Sequence, residues 1–233
     1  MSTDFPGVNT PPAQDEVIDL GTLSPAFSGA MSITFWIRLN QRGPDRTAIV
    51  CKGDTIADAG KEWSLGYDGT GPADIEFVLN TGAGGVRQTG NTSIAQLFRW
   101  RFVAATYDGA NKRIYIDGAL DATTAETGNV VSSAKATSIA AVNGTASPEQ
   151  EINARVGDVR LYDRALSAAE IETMWTLQGV DAIVHGLLHR WQLRETGFGV
   201  TASGAGLTKD SGPGQVNGTA LNGPIGAESG LRL

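Results

Sequence analysis

Apolar and polar positions alternate with a period of two along much of this chain. In residues 31–39, Ile33, Phe35, Ile37 and Leu39 fall on one side and Ser32, Thr34, Trp36 and Arg38 on the other. That period marks a half-buried strand, and the first set faces a core. Residues 63–67 repeat the pattern through Trp63, Leu65 and Tyr67, and residues 75–79 through Ile75, Phe77 and Leu79. Residues 100–107 are apolar and aromatic enough for a strand covered on both faces. Asp108-Gly109 then turns the chain into residues 113–117, where Ile114 and Ile116 oppose Arg113, Tyr115 and Asp117. A run, a Gly-containing loop and an alternating run predict a β-hairpin. Shorter strands are predicted at 17–20, 47–51 and 156–163, with a weak signal at 138–142. Residues 81–90 read as a Gly-rich turn region, and residues 1–14, rich in Pro, Gly and Thr, as an N-terminal arm.

The period changes once. Ser167-Ala168-Ala169-Glu170 is a capping box, in which the serine hydroxyl and the glutamate carboxylate satisfy free amides at a helix start. Ile171, Met174, Trp175 and Leu177 follow on about one face, and Gly179 supplies a stop. Closely spaced strands separated by turn residues, with a single helix, predict an all-β fold: a two-sheet antiparallel jelly-roll sandwich with one short helix.

Composition fits this picture. Of 233 residues, 41% are hydrophobic and 30 are glycines, which suits a turn-rich β-protein with a real core. The net charge of −7, with no basic cluster, argues against nucleic acid as a partner. No stretch approaches the ~20 apolar residues of a membrane helix, so membrane insertion is not expected. The N-terminus lacks the basic start and apolar run of a signal peptide. The single cysteine, Cys51, excludes an intrachain disulfide and reads as a buried strand residue.

Six segments together carry a family resemblance. They are residues 31–39, Ile-Val-Cys-Lys-Gly at 49–53, Trp-Ser-Leu-Gly-Tyr-Asp at 63–68, Phe-Val-Ala-Ala-Thr-Tyr-Asp-Gly at 102–109, Arg-Ile-Tyr-Ile-Asp-Gly at 113–118, and Val-Gly-Asp-Val-Arg-Leu-Tyr-Asp-Arg-Ala-Leu-Ser-Ala-Ala-Glu-Ile at 156–171. Over roughly residues 15–178 their order and spacing resemble the laminin-G-like jelly rolls of the concanavalin A-like lectin/glucanase superfamily. The resemblance implies two antiparallel sheets, one of them concave. Family members usually begin with a Trp-containing strand and an Asp-Ser-Gly turn. Here those pieces lie at the other end, as Trp191 within 188–193 and as residues 210–219. Circular permutation is therefore expected, with residues 186–233 supplying the missing first strands of a single domain spanning 15–233. Completion within the chain, donation to a neighbouring subunit and a truncated second domain all remain open.

The glucanase signature of this superfamily, Glu-x-Asp-x-x-Glu, is absent. The nearest carboxylate groups are Asp74 with Glu76 and Glu149 with Glu151, neither a good acid–nucleophile pair. His185 and His189 would share a face of a strand without a third metal ligand. By resemblance, Asp158 and Asp210 are the candidate ligands of a Ca²⁺; otherwise Asp158 pairs with an arginine and Asp210 caps a turn. Sugar binding, the family's commonest non-catalytic role, needs aromatic faces beside polar groups. The outward positions offer Trp36 with Arg38, Tyr115 with Arg113, and Tyr162 with Asp158 and Arg160. The expected function is a non-catalytic structural or display module of a particle, such as a head decoration or fibre protein of a tailed-phage virion. It would be made in the host cytoplasm and would associate with itself or with other virion proteins. A lectin-like module binding cell-surface glycans and an atypical glycoside hydrolase are the alternatives.

Overall fold

A computed structural model describes residues 2–5, 17–23, 27, 29–42, 46–55, 57–69, 71–82, 84–142, 152–193, 204–221 and 225–227. In chain order its elements are β1 (Ser2–Phe5), β2 (Val17–Gly21), β3 (Met31–Leu39), β4 (Thr47–Gly53), β5 (Lys61–Tyr67), β6 (Asp74–Asn80), β7 (Gly85–Ser93), β8 (Trp100–Tyr107), β9 (Asn111–Ile116), β10 (Ala119–Ala125), β11 (Thr137–Ile139), β12 (Ala154–Tyr162), α1 (Ala168–Leu177), β13 (Leu187–Trp191), β14 (Gly204–Thr208), β15 (Gly218–Leu221) and β16 (Ile225–Ala227). Two antiparallel sheets form. The first runs β10-β9-β8-β3-β12-β1-β16, with β13 also paired to β12; the second runs β14-β15-β2-β11-β4-β5-β6-β7. No helix among the described residues is long and apolar enough to cross a membrane.

The core lies between the sheets and follows the alternation. Ile33, Phe35, Ile37, Val103, Ile114, Val156 and Leu161 from the first sheet meet Ile18, Val50, Trp63, Leu65, Ile75 and Phe77 from the second. A smaller apolar cluster lies on the outside of the first sheet. There Trp36, Phe102, Tyr115 and Tyr162 are roofed by Leu166, Ile171, Met174 and Leu187. The helix is laid onto this face, which is why β8 is covered on both sides. Only Ile171 and Met174 of α1 are buried; Trp175 and Leu177, expected on the same face, are 40% and 44% exposed.

Three elements depart from the pattern-based expectation. Residues 85–90, expected as turn, belong to edge strand β7, whose outer half is exposed and so carries little alternation. Gly85 starts it because a Cβ there would lie 2.0 Å from the Asp58 carbonyl oxygen. Strand β10 follows β9 through Asp117-Gly118, both at positive φ, the geometry of a tight hairpin turn. Its side chains are mostly exposed, so no apolar period reveals it. Residues 2–5, expected in an arm, form β1, which pairs with β12 through Thr3↔Val156 and with β16 through Thr3↔Gly226. The rest of the expected arm, residues 6–14, lies outside the described residues.

The C-terminal segment contributes to both sheets within this chain. Strand β13 pairs with β12 through Val159↔Trp191 and Leu161↔His189. Strand β15 pairs with β2 through Ala220↔Ile18. Trp191 is fully buried in the main core, and its indole N–H donates to the Val216 carbonyl at 2.8 Å.

Candidate functional site

The aromatic residues expected to face a ligand are covered. Trp36, Tyr115 and Tyr162 are 3%, 4% and 0% exposed, and Trp36 packs on Phe102 with ring centroids 5.1 Å apart. They sit beneath the helix and the segment leading to β13. The expectation of stacking faces at these three positions is therefore corrected: alternation put them on the outside of the sheet, and α1 closed over them. Their expected polar companions do not form a shared surface. Arg38 lies over the Phe98 ring at 5.5 Å. Arg113 pairs with Asp108 at 2.6 Å.

Arg160 is buried at the centre of an ionic network. Its guanidinium donates to Asp158 at 3.1 and 2.6 Å and to Asp181 at 2.7 and 2.8 Å. Strand β12 bulges here, with a register shift between Gly157 and Arg160 and Asp158 at a φ of 51°. The bulge turns Asp158 toward Arg160 and Arg190, and Arg190 Nε donates to Asp158 Oδ1 at 2.7 Å. Both oxygens of Asp158 thus face guanidinium groups. Asp210 caps the turn after β14. Its Oδ1 accepts from the Arg190 and Gly212 amides, and its Oδ2 from the Val216 amide and His189 Nδ1. A cation would have to displace these donors, so the two carboxylates do not fit the expected Ca²⁺. Among the described residues no group of three or more His, Cys, Asp or Glu is placed to hold a metal ion. The two histidines do not share a face: His185 is exposed in the turn before β13, and His189 is buried on β13 itself. Glu149 and Glu151 lie outside the described residues.

The outward face of the second sheet is different. Register places Cys51, Ser64, Val78 and Arg87 in one row and Ala48, Gly66, Glu76 and Thr89 in the next. Small residues on β4 and β5 make a low floor. A Cβ on Gly66 would lie 1.9 Å from the Thr47 carbonyl oxygen, so only glycine lets β4 and β5 approach here. At one end Val142 rests on Ala48 and Cys51. The chain reaches it from β11 through Ala140, at a φ of 81°, with Ser138 Oγ donating to the Ala141 carbonyl.

Beside this floor stands a linked set of charges. Arg87 donates to Glu76 Oε1 at 3.1 Å and to Asp58 at 2.6 Å. Arg46 Nε lies 3.5 Å from Glu76 Oε2, and Lys61 Nζ lies 3.8 Å from Asp58. The side chains of Arg87, Glu76 and Asp58 keep 17%, 10% and 23% of their surface, and Arg46 keeps half. The floor residues Ala48, Cys51, Ser64 and Val78 are at most 4% exposed, so the accessible part of this face is its charged edge, where Arg46 and Asp58 keep the most surface. Burial pushes the Glu76 carboxyl up, with Arg87 and Arg46 pulling it back. Burial lowers the Lys61 ammonium. The Cys51 thiol is pushed up to about 12 by burial and is no nucleophile. Asp74 shares the outward face of β6 with Glu76, as alternation indicated. The guanidinium partners, which come from β7 and the residue before β4, leave no signal in sequence spacing.

The fold has relatives. A search of curated proteins found no match. Among solved structures, a candidate carbohydrate-binding protein from Bacteroides ovatus ATCC 8483 superposes with a TM-score of 0.67 at 20% identity, over 96% of this chain and 60% of that one. The chain thus spans less than two thirds of that protein. A heptameric SAP-like pentraxin from Limulus polyphemus superposes at 0.59 with 17% identity, over 77% of this chain and 83% of that one. The binding domain of botulinum neurotoxin serotype G does so at 0.51 with 20% identity, over 66% and 37%. At these identities the likeness is one of fold. The sequence itself matches a family model described as the concanavalin A-like lectin/glucanases superfamily, of laminin-G type, over residues 13–172. With two thirds of its length matched and the sandwich in place, the chain belongs to the concanavalin A-like lectin/glucanases superfamily.

Proposed function

We propose that the chain is a non-catalytic carbohydrate-binding module whose saccharide docks on the outward face of the second sheet. The observation that carries this is the Asp58–Arg87–Glu76–Arg46 set, fixed by its own ion pairs and partly exposed at the edge of that face. Sugar hydroxyls donate and accept at once, and a fixed guanidinium beside a fixed carboxylate offers both partners without reorganisation. The similar fold of a candidate carbohydrate-binding protein supports the reading. The missing Glu-x-Asp-x-x-Glu signature supports a binding rather than a hydrolytic role. The test is binding to a panel of immobilised glycans, then calorimetry with the best member. Arg87→Lys keeps the charge and loses the planar fork. It is expected to weaken binding about tenfold with the melting temperature little changed. Undiminished binding in that variant, or no glycan bound by the wild type, rejects the site.

Display on a particle, such as a tailed-phage virion, is the setting we propose for the module, with self-association or other virion proteins as partners. The acidic charge supports it, and fold-level analogy supplies the rest. We also read the chain as circularly permuted. The pairing of β15 with β2 and of β13 with β12 supports this, although the final residues that would join head to tail lie outside the described ones.

A further inference from the structure

Between the two sheets, away from the proposed saccharide face, is a small cavity of about 10 Å³. Its polar lining is Lys52 of β4, Glu62 and Trp63 of β5, and His189 of β13; Leu23 and Phe27 close its apolar side. All four polar residues are at least 98% buried. Three of their atoms have no hydrogen-bond partner: His189 Nε2, Glu62 Oε1 and Trp63 Nε1. The other ends of the same groups are fixed. Glu62 Oε2 accepts from the Ser133 amide and hydroxyl at 2.9 and 2.8 Å. Lys52 Nζ donates to the Leu23 carbonyl at 3.5 Å and lies 4.0 Å from Glu62. His189 Nδ1 lies 2.7 Å from Asp210 Oδ2, and its ring stacks on Trp191 at 5.1 Å.

We infer that this cavity is a built site for one water molecule, which ties the C-terminal segment to the second sheet through His189, Glu62 and Trp63. Burial works to raise the Asp210 carboxyl, but His189 and the backbone amides outweigh it and hold it below its ordinary range. A charged carboxylate at Nδ1 calls for a proton there, and the neutral ring with that tautomer presents Nε2 to the cavity as an acceptor. One water then satisfies all three orphans. It accepts from the Trp63 N–H and donates one proton to His189 Nε2 and the other to Glu62 Oε1. The volume admits one water and nothing larger. Left dry, the site would leave three buried polar atoms unpaired, each costly. A cation is a poor occupant, because Lys52 and the Trp63 N–H line the same space.

The test is magnetisation transfer from bulk and bound water to indole protons in the full chain. A cross-peak at the water frequency is expected for Trp63 and not for Trp191, whose N–H is bonded to Val216. Lys52→Met should retain the Trp63 cross-peak, which separates bound water from exchange with the ammonium protons. High-resolution diffraction should show one density peak within hydrogen-bond reach of the three orphaned atoms. A folded wild type with no Trp63 cross-peak, loss of the peak in Lys52→Met, or an empty cavity at high resolution overturns the inference.

Discussion

Arg160 shows how far one side chain's role depends on its surroundings. Alternation places it on the outside of β12, where an arginine would ordinarily be solvated. Here it is 2% exposed and held by two carboxylates that flank it from β12 and from the segment after α1. Burial works to lower its pKa, but Asp181 and Asp158 more than reverse the effect. Removing one partner of a buried ionic set strands the others, so Arg160→Met should cost about 3–5 kcal/mol. Urea unfolding measures it, and a loss under 1 kcal/mol would show the network to be dispensable. Glycan binding on the opposite sheet should be unaffected in protein that remains folded. Asp158 was recognisable as an arginine partner; Asp181, 21 positions from Arg160, was not, because nothing local connects them.

The helix is the element on which the outer cluster depends. Its capping box was legible down to the residues: Ser167 Oγ accepts from the Glu170 amide, and the Glu170 carboxylate accepts from the Ser167 amide. What spacing did not reveal is Arg164, which grips Glu170 with two bonds of 2.9 and 2.5 Å. Arg164 first, and the serine next, hold the Glu170 carboxyl down at about 2, against an ordinary 4.5. A depressed folded-state pKa means that the contribution is full above pH 4.5 and lost as pH falls through about 2. Discounted for its partial exposure, it is about 1 kcal/mol. Glu170→Gln should therefore lower the melting temperature at neutral pH and converge on wild type near the low end of that window. A difference that persists unchanged at pH 2 would contradict the assignment. The helix also explains why the sugar-stacking expectation failed. Trp36, Tyr115 and Tyr162 have the chemistry of a binding face, but Ile171 and Met174 occupy the space in front of them.

At the scale of the molecule, the first two thirds and the last quarter of the chain make one sandwich. Deleting residues 186–233 would strip the β12 edge at 159–162 and the β2 edge at 17–19, and would remove Trp191 from the core. The expected result is loss of the cooperative thermal transition and of soluble monomer. A truncated chain that melts as the full chain does would show the segment to be a separate unit. Sequence alone determined the strands whose one face is apolar, the capped helix, the family and the inertness of Cys51, because each depends on neighbours within a few residues. It could not determine the exposed edge strands β7 and β10, which bury too little to leave a period. Nor could it show which outward aromatics are roofed, or that Arg46, Asp58, Glu76 and Arg87 converge. Those depend on strand order and on what is laid across a sheet, and such contacts are made between segments that only the folded chain brings together.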